Sequence, residues 1–527
     1  MELEKRAPFR QNMRISLWPQ SLRKGRPCVT VLGWWRCWQA QSLVWTWSWP
    51  SSWLRSGSES GSWSFRFLAR EVSPAGALAF ERELNDLVRE MGRVILELAY
   101  NRLEPDQPQE LPHYLTHEAG RYRRLNQKTP NREVATLFGK ITLLRHGYRY
   151  VEREVREPTI FPLEVQLGLA SGATPALACE AARLMAETGA TQETVLARLK
   201  ERHGLTWGVK KLRAVTEHVA TAMERFRREH QAQQVVAWLR EAHAGKGQHR
   251  PVLVVGRDGI TLQTQPHSHY EVASTATLTV HDRRGQRLGT VYLAYAPELG
   301  QPTITDELTA LVTEVLRQWE GPLPRLAYLT DAGDSETKYY RQVLRKLRHP
   351  RTGQRLEWQW IVDYFHAAQR LTTMGEALRG AGREASAWAA RLRKLLLKPN
   401  GPFRVLHAAA AMRSRVSMSA ARQKLFQQAY HYLRTRTRHL QYAEFRRLGL
   451  PIGSGITEAA CKTVFTQRLK LSGMRWSGPG AQIILNLRVV LLSGLWDAVY
   501  AAAVNSYNHT PIRTPEPLPR QHLQTVA

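Results

Sequence analysis

Four uncharged residues, Val252, Leu253, Val254 and Val255, run into Gly256-Arg257-Asp258-Gly259. A short β-branched run bounded by Pro251 and Gly259 reads as a buried strand. Such a strand delivers a carboxylate to the rim of a sheet, where glycine admits close approach of a backbone or ligand. A single strand-end aspartate also serves simply to cap a turn, so Asp258 gains meaning only from what lies downstream.

With 527 residues the chain exceeds one hydrophobic core and calls for several domains. Its charge is the outlier: 75 Lys and Arg face 45 Asp and Glu, a formal +30. An excess of that size favours a polyanionic partner, nucleic acid or an anionic surface. Cys28, Cys37, Cys179 and Cys461 are scattered without paired spacing. That argues against a disulfide framework or a cysteine zinc site and fits a reducing cytoplasm. Val29 to Leu54 is apolar mainly through tryptophan and contains Arg36 and Pro50. It reads neither as a membrane span nor as a signal peptide.

Residues 1–70 form a Trp/Arg/Ser-rich extension, with nine of the 17 tryptophans before residue 64. Lacking any period, it reads as translated sequence upstream of the true start rather than as a base-stacking arm. Residues 71–125 read as helical, with Leu84, Leu87, Val88, Met91 and Ile95 at three- and four-residue steps. Residues 126–170 hold a small hairpin. Residues 171–250 give three expected helices, Ala176–Thr188, Gln192–His203 and Trp207–Phe226, in a helix-turn-helix-like series. Lys210, Lys211 and Arg213 stand near the start of the third, where a recognition helix meets base edges. A plain helical bundle with a solvated basic face fits the same pattern, and the net charge favours DNA.

From residue 251 to 363, strands at Val252, Ser274–Val280 and Arg287–Ala294 precede a helix and PRLAYLTDAGD, a buried strand ending at Asp331. A helix opening at Asp334 and a fifth strand ending near Asp363 follow. Asp334 stands where an N-cap belongs, leaving Asp331 free. The order β-β-β-α-β-α-β with acids at strand ends is the layout of an α/β, RNase H-like fold with a mixed five-stranded sheet. Residues 364–450 then turn helical and basic, with seventeen Lys/Arg against Glu376, Glu384 and Glu444. A solvated face mixes signs. This segment does not, so Arg391, Arg393, Lys394, Arg434, Arg436 and Arg438 are candidate phosphate contacts.

Residues 451–506 open on a Gly-Ser-Gly turn and a helix carrying Glu458, before a tail at 507–527. Asp258, Asp331 and Glu458 would converge in such a fold. Three carboxylates without thiols suit two Mg2+ or Mn2+ ions and phosphodiester chemistry. Glu458 reads equally as a first-turn glutamate favouring the helix dipole, with Lys462 as its i+4 partner. His366 either meets a phosphate or leaving group or is a packed histidine held by Asp363. Cys461 reads as a small buried apolar residue.

The strings VGRDG, LTDAGD, VDYFHAAQRL and above all PIGSGITEAACKTVFTQRLKLSGMRWS resemble the DDE transposases of bacterial insertion sequences. The likeness is to the ISKra-type group, relatives of the Mutator-like transposases, over roughly Leu125 to Ser506. It implies that Asp258, Asp331 and Glu458 are the catalytic, metal-holding triad, with Asp363 and His366 the Asp-x-x-His pair. It implies that 364–450 is the insertion preceding the glutamate. Lys462, Arg468 and Lys470 are further candidate DNA contacts, and Arg475 and Trp476, between two helices, either hold DNA near the site or form an ordinary connecting turn. The partner would be double-stranded DNA, both terminal inverted repeats and target, bound by a homo-oligomer, at least a dimer, on the bacterial nucleoid. The cysteine pairs that relatives carry after the hairpin are missing, so no zinc is expected. The competing classes are a silent DNA-binding relic or regulator and a structure-specific RNase H-like nuclease.

Overall fold

In a computed structural model, residues 73–117, 120–151, 157–266 and 270–507 are described. The Trp-rich extension up to residue 72 and the tail from 508 lie outside them. The chain divides into two units, Met1–Glu83 and Leu84–Ala527, and only the second is described at length.

The architecture is mixed α/β. Its main sheet has six strands: β4 (Val252–Gln265), β5 (Tyr270–His281), β6 (Arg287–Tyr295), β7 (Arg325–Thr330), β8 (Trp358–Val362) and β9 (Trp476–Ser477). The order is β6-β5-β4-β7-β8, with β9 pairing the far end of β4. The β4, β5 and β6 strands form an antiparallel meander, whereas β7 and β8 run parallel to β4. The expected five strands are therefore joined by a sixth, because Trp476 and Ser477 pair with Thr264 and Gln265 instead of forming a plain turn.

The two faces of β4 are covered differently, as alternation along a strand requires. Arg257 turns one way, donating to Gln301 and Thr305 at the start of the helix Pro302–Gln318. Gly256 faces the other way, against Thr457 in the helix Gly455–Ala460. Val252 to Val255 are buried between these layers, which explains why no polar residue interrupts them.

Upstream, a separate sheet is formed by β1 (Tyr114–His117), β2 (Gly120–Thr136) and β3 (Gly139–Tyr150). The expected helical stretch 71–125 therefore ends at Asn101, and strands begin within it. Polar residues in β2, GRYRRLNQKTP, hide the strand from a hydrophobicity reading. The helices Pro175–Ala186 and Gln192–His203 match expectation, and Thr191 caps the second by accepting from Thr194 N–H. The third does not stop at Phe226: it runs from Val209 to Ala244, roughly 54 Å at 1.5 Å per residue. Buried residues recur from Leu212 to Ala242, so the helix is a core element over most of its length. Among the described residues no helix is long and apolar enough to cross a membrane.

Candidate metal and nucleic-acid site

Strand register places three aspartates side by side. Gly256 pairs with Leu329 across β4 and β7, and Leu329 with Ile361 across β7 and β8. Two residues further along each chain segment come Asp258, Asp331 and Asp363. The ladder continues that far, since Asp363 N–H donates to Thr330 O at 2.8 Å. Asp331 and Asp363 stand just past the ends of β7 and β8, whereas β4 does not end at Asp258 as expected but runs on to Gln265; the three aspartates share one level across three adjacent parallel strands.

Asp258 is held by Gly259 N–H on Oδ1 at 2.8 Å and by the Cys461 thiol on Oδ2 at 3.3 Å. Burial and the neighbouring Asp331 charge raise its pKa, against those hydrogen bonds and the pull of His366. Cys461 is buried as expected but is not merely apolar filling. Its thiol faces the carboxylates, and burial and Asp258 push its pKa up. Asp331 is not left free: its Oδ1 accepts Gly333 N–H at 2.9 Å. Gly333 rather than Asp334 caps the helix Asp334–Gln342, so the expected N-cap is displaced by one residue. The backbone beside Asp331 is gripped from the 364–450 segment. Tyr432 donates to Asp331 O at 2.6 Å and Arg436 to Ala332 O at 3.0 Å.

Asp363 is fully buried. It accepts from His366 N–H at 2.8 Å, from His366 Nδ1 at 3.3 Å and from Ser454 N–H. Burial alone would raise its pKa, but these donors outweigh it and the carboxyl sits below its ordinary value. Asp363 thereby joins the end of β8 to the N-cap of the helix bearing Glu458. Ser454 Oγ donates to Glu458 Oε1 at 3.2 Å, and His366 Nδ1 stands 3.4 Å from the same oxygen. The Asp363 hydrogen bond is the main reason the His366 pKa is raised. Both readings of His366 thus meet in one residue: it is held by Asp363 and faces the site.

Among the described residues, one set of side chains has ligand atoms all within 4.8 Å of each other, Asp363, His366 and Glu458. Asp258, Asp331 and Glu458 are not gathered that closely. Asp258 and Asp331 lie near enough to influence each other and His366, and the tighter cluster is the Asp-x-x-His pair with the glutamate. Sequence reasoning missed Glu336, a buried carboxyl near Asp331 and Asp258 whose pKa burial pushes up to about 7. Its place in the first turn of a helix suggests no more than a favourable dipole interaction.

Glycine is required at position 256. A Cβ there would stand 2.0 Å from Thr457 Oγ1 and 2.6 Å from Thr277 Oγ1. The two hydroxyls bond each other at 3.0 Å, seating the Glu458 helix on β4 and β5. Gly256→Ala is expected to lift that helix, costing roughly 1–3 kcal/mol of stability. Adding Thr457→Ala should recover part of the loss in denaturant unfolding; an unchanged midpoint in the single variant would contradict this packing.

The candidate phosphate contacts divide by exposure. Lys210, Arg213, Arg391, Lys394, Arg434, Arg438, Lys462, Lys470 and Arg475 are exposed. Lys211 is half-buried against Gly172, and burial lowers its pKa. Arg393 donates to Thr372 and Arg436 to Ala332, so both are half-buried structural cations rather than free surface charges. Arg468 is a fuller correction: it is 1% exposed and its Nε donates to Met185 O. The sequence pattern RLK could not distinguish a buried arginine from an exposed one. No protein-family model matches the chain, and no curated protein matches it either.

Proposed function

We propose that the chain is a DDE-type DNA transposase of a bacterial insertion sequence, with an RNase H-like catalytic domain. The observation that carries this reading is the register that sets Asp258, Asp331 and Asp363 at one level across three adjacent parallel strands, with Asp258 and Asp363 bonded to the segment bearing Glu458. The strand order, three antiparallel strands followed by two parallel to the first, supports the fold assignment. The donor set fits divalent ions that prefer hard oxygen ligands, because carboxylates dominate and solvent reaches Glu458. Asp258, Asp331 and Glu458, with Asp363 and His366 beside them, would hold two Mg2+ or Mn2+ ions. When bound, these activate the attacking oxygen and stabilise the leaving oxygen of an in-line phosphodiester displacement.

The remaining work belongs to the chain's own groups. Cys461 and Gly259 fix the rotamer of Asp258, and Asp363 fixes His366 and the start of the glutamate helix. Arg391, Lys394, Arg434 and Arg438 are exposed and would neutralise phosphates and set register without reading sequence. The helices before residue 250 would recognise the terminal repeats, and assembly as at least a dimer would bring two ends together.

The test uses labelled duplexes carrying the DNA that flanks the gene. Binding to imperfect inverted repeats, followed by Mg2+-dependent cleavage that leaves a 3′-OH and its joining to target DNA, is the expected result. Cleavage of branched DNA irrespective of end sequence would replace the proposal with a nuclease. Binding without cleavage in either metal would replace it with a silent relic.

A further inference from the structure

The helix Pro74–Asn101 has no buried residue, unlike the long helix Val209–Ala244. From Leu84 on, apolar side chains recur at alternating steps of four and three: Leu84, Val88, Met91, Ile95 and Leu98. Four of them stand open to solvent, Leu84 45%, Val88 56%, Ile95 49% and Leu98 46% exposed. Other parts of the helix hold it to its own domain. Phe138 packs on Gly92, where a Cβ would stand 2.5 Å from its ring. Asn101 accepts Leu144 N–H at 2.7 Å and donates to Thr142 O at 2.9 Å. Arg89 pairs with Asp86, and Arg93 with Glu90 and Glu97, all within the helix. At 3.6 residues per turn these charges fall on the side away from the apolar stripe. In heptad terms Val88 and Ile95 are a residues, and Leu84, Met91 and Leu98 are d residues. A β-branched a with Leu at d is the pattern of a two-stranded parallel helix pair. The flanking e and g positions, Asn85, Leu87, Gly92, Val94, Ala99 and Asn101, carry no charge.

We propose that this stripe is a dimer interface, in which the helix of one chain pairs in parallel with the same helix of a second copy. With a formal charge of +30, two copies repel each other over most of their surface. Along the stripe they meet no like charge. A two-fold contact needs one patch that complements itself, and a repeat of four and three does so, because knobs and holes follow the same spacing on both copies. The Trp-rich sequence preceding the helix has no such period and offers no matching knobs. Leu84 to Leu98 spans roughly 21 Å, which is short for an isolated helix pair. Here the helix is already anchored through Gly92 and Asn101, so association has little left to order. The pairing does not depend on the transposase reading, although it would supply the dimer that reading calls for.

The experiment is sedimentation velocity of the full chain in EDTA without DNA, over a series from nanomolar to tens of micromolar. The wild type is expected to pass from monomer to dimer. Ile95→Glu and Ile95→Lys should each weaken dimerisation at least tenfold. Their helix content by circular dichroism should match the wild type, because residue 95 is exposed in the single chain. Mixed one to one, the two variants should recover a dimer, since a parallel pair sets position 95 of each chain against its copy. A monomeric wild type, wild-type dimerisation by both variants, or no recovery on mixing overturns the inference. A monomer that still cuts inverted-repeat DNA once Mg2+ is added sinks the helix pairing alone and leaves the proposed function standing.

Discussion

Asp258→Ala protein should bind the terminal DNA as the wild type does and cleave it more slowly by a factor on the order of 10^3 or more. The substitution removes a carboxylate that neighbours Asp331 and that burial disfavours in its charged form. Without divalent ions the change therefore relieves repulsion, and the variant should melt at or above the wild-type temperature in EDTA. Adding Mg2+ should then raise the wild-type melting temperature more than that of the variant, since an ion that binds only the folded state stabilises it. This pairing separates a chemical role from a structural one. Retained cleavage, or a large loss of stability in EDTA, would contradict the assignment.

Asp363→Ala is expected to do the opposite, damaging fold and activity together. Asp363 accepts the backbone amides of His366 and Ser454 in a fully buried position. Each amide left without an acceptor costs roughly 1–3 kcal/mol. Asp363→Asn, which retains one acceptor oxygen, should fall between alanine and wild type in urea unfolding. The acid limb of stability gives an independent check. The folded Asp363 pKa lies below its ordinary value, so its contribution is complete above the unfolded carboxyl pKa of about 3.9 and lost as pH falls through the folded value. In chelator, the alanine variant should show a shallower loss of stability in that acid range. A wild-type unfolding midpoint for Asp363→Ala would remove the link drawn between β8 and the Glu458 helix.

The strands carrying or preceding Asp258, Asp331 and Asp363 are legible in the sequence because each has a largely apolar run ahead of its acid, although β4 continues past Asp258 to Gln265 and Gln359 interrupts β8. Local pattern suffices there, as most of these residues are buried on both faces of the sheet. Partnership across long separations is not legible. Nothing in the sequence near Asp363 announces that Ser454 donates to it, nor does the region around Cys461 reveal that its thiol faces Asp258. The requirement for glycine at position 256 depends on Thr457, two hundred residues away. Charge misleads in a similar way: a basic cluster reads as surface, but Arg468 is buried, and only tertiary packing sorts it from Lys462 and Lys470. β9 was hidden because two residues are too few to show a period.

The grip of Tyr432 and Arg436 on the carbonyls of Asp331 and Ala332 limits how this protein can be re-engineered. The helical segment is not a detachable cassette that could be excised to give a minimal nuclease scaffold. Tyr442 likewise donates to Val362 O at the end of β8, so a shortened chain would lose the props beside Asp331 and Asp363 at once.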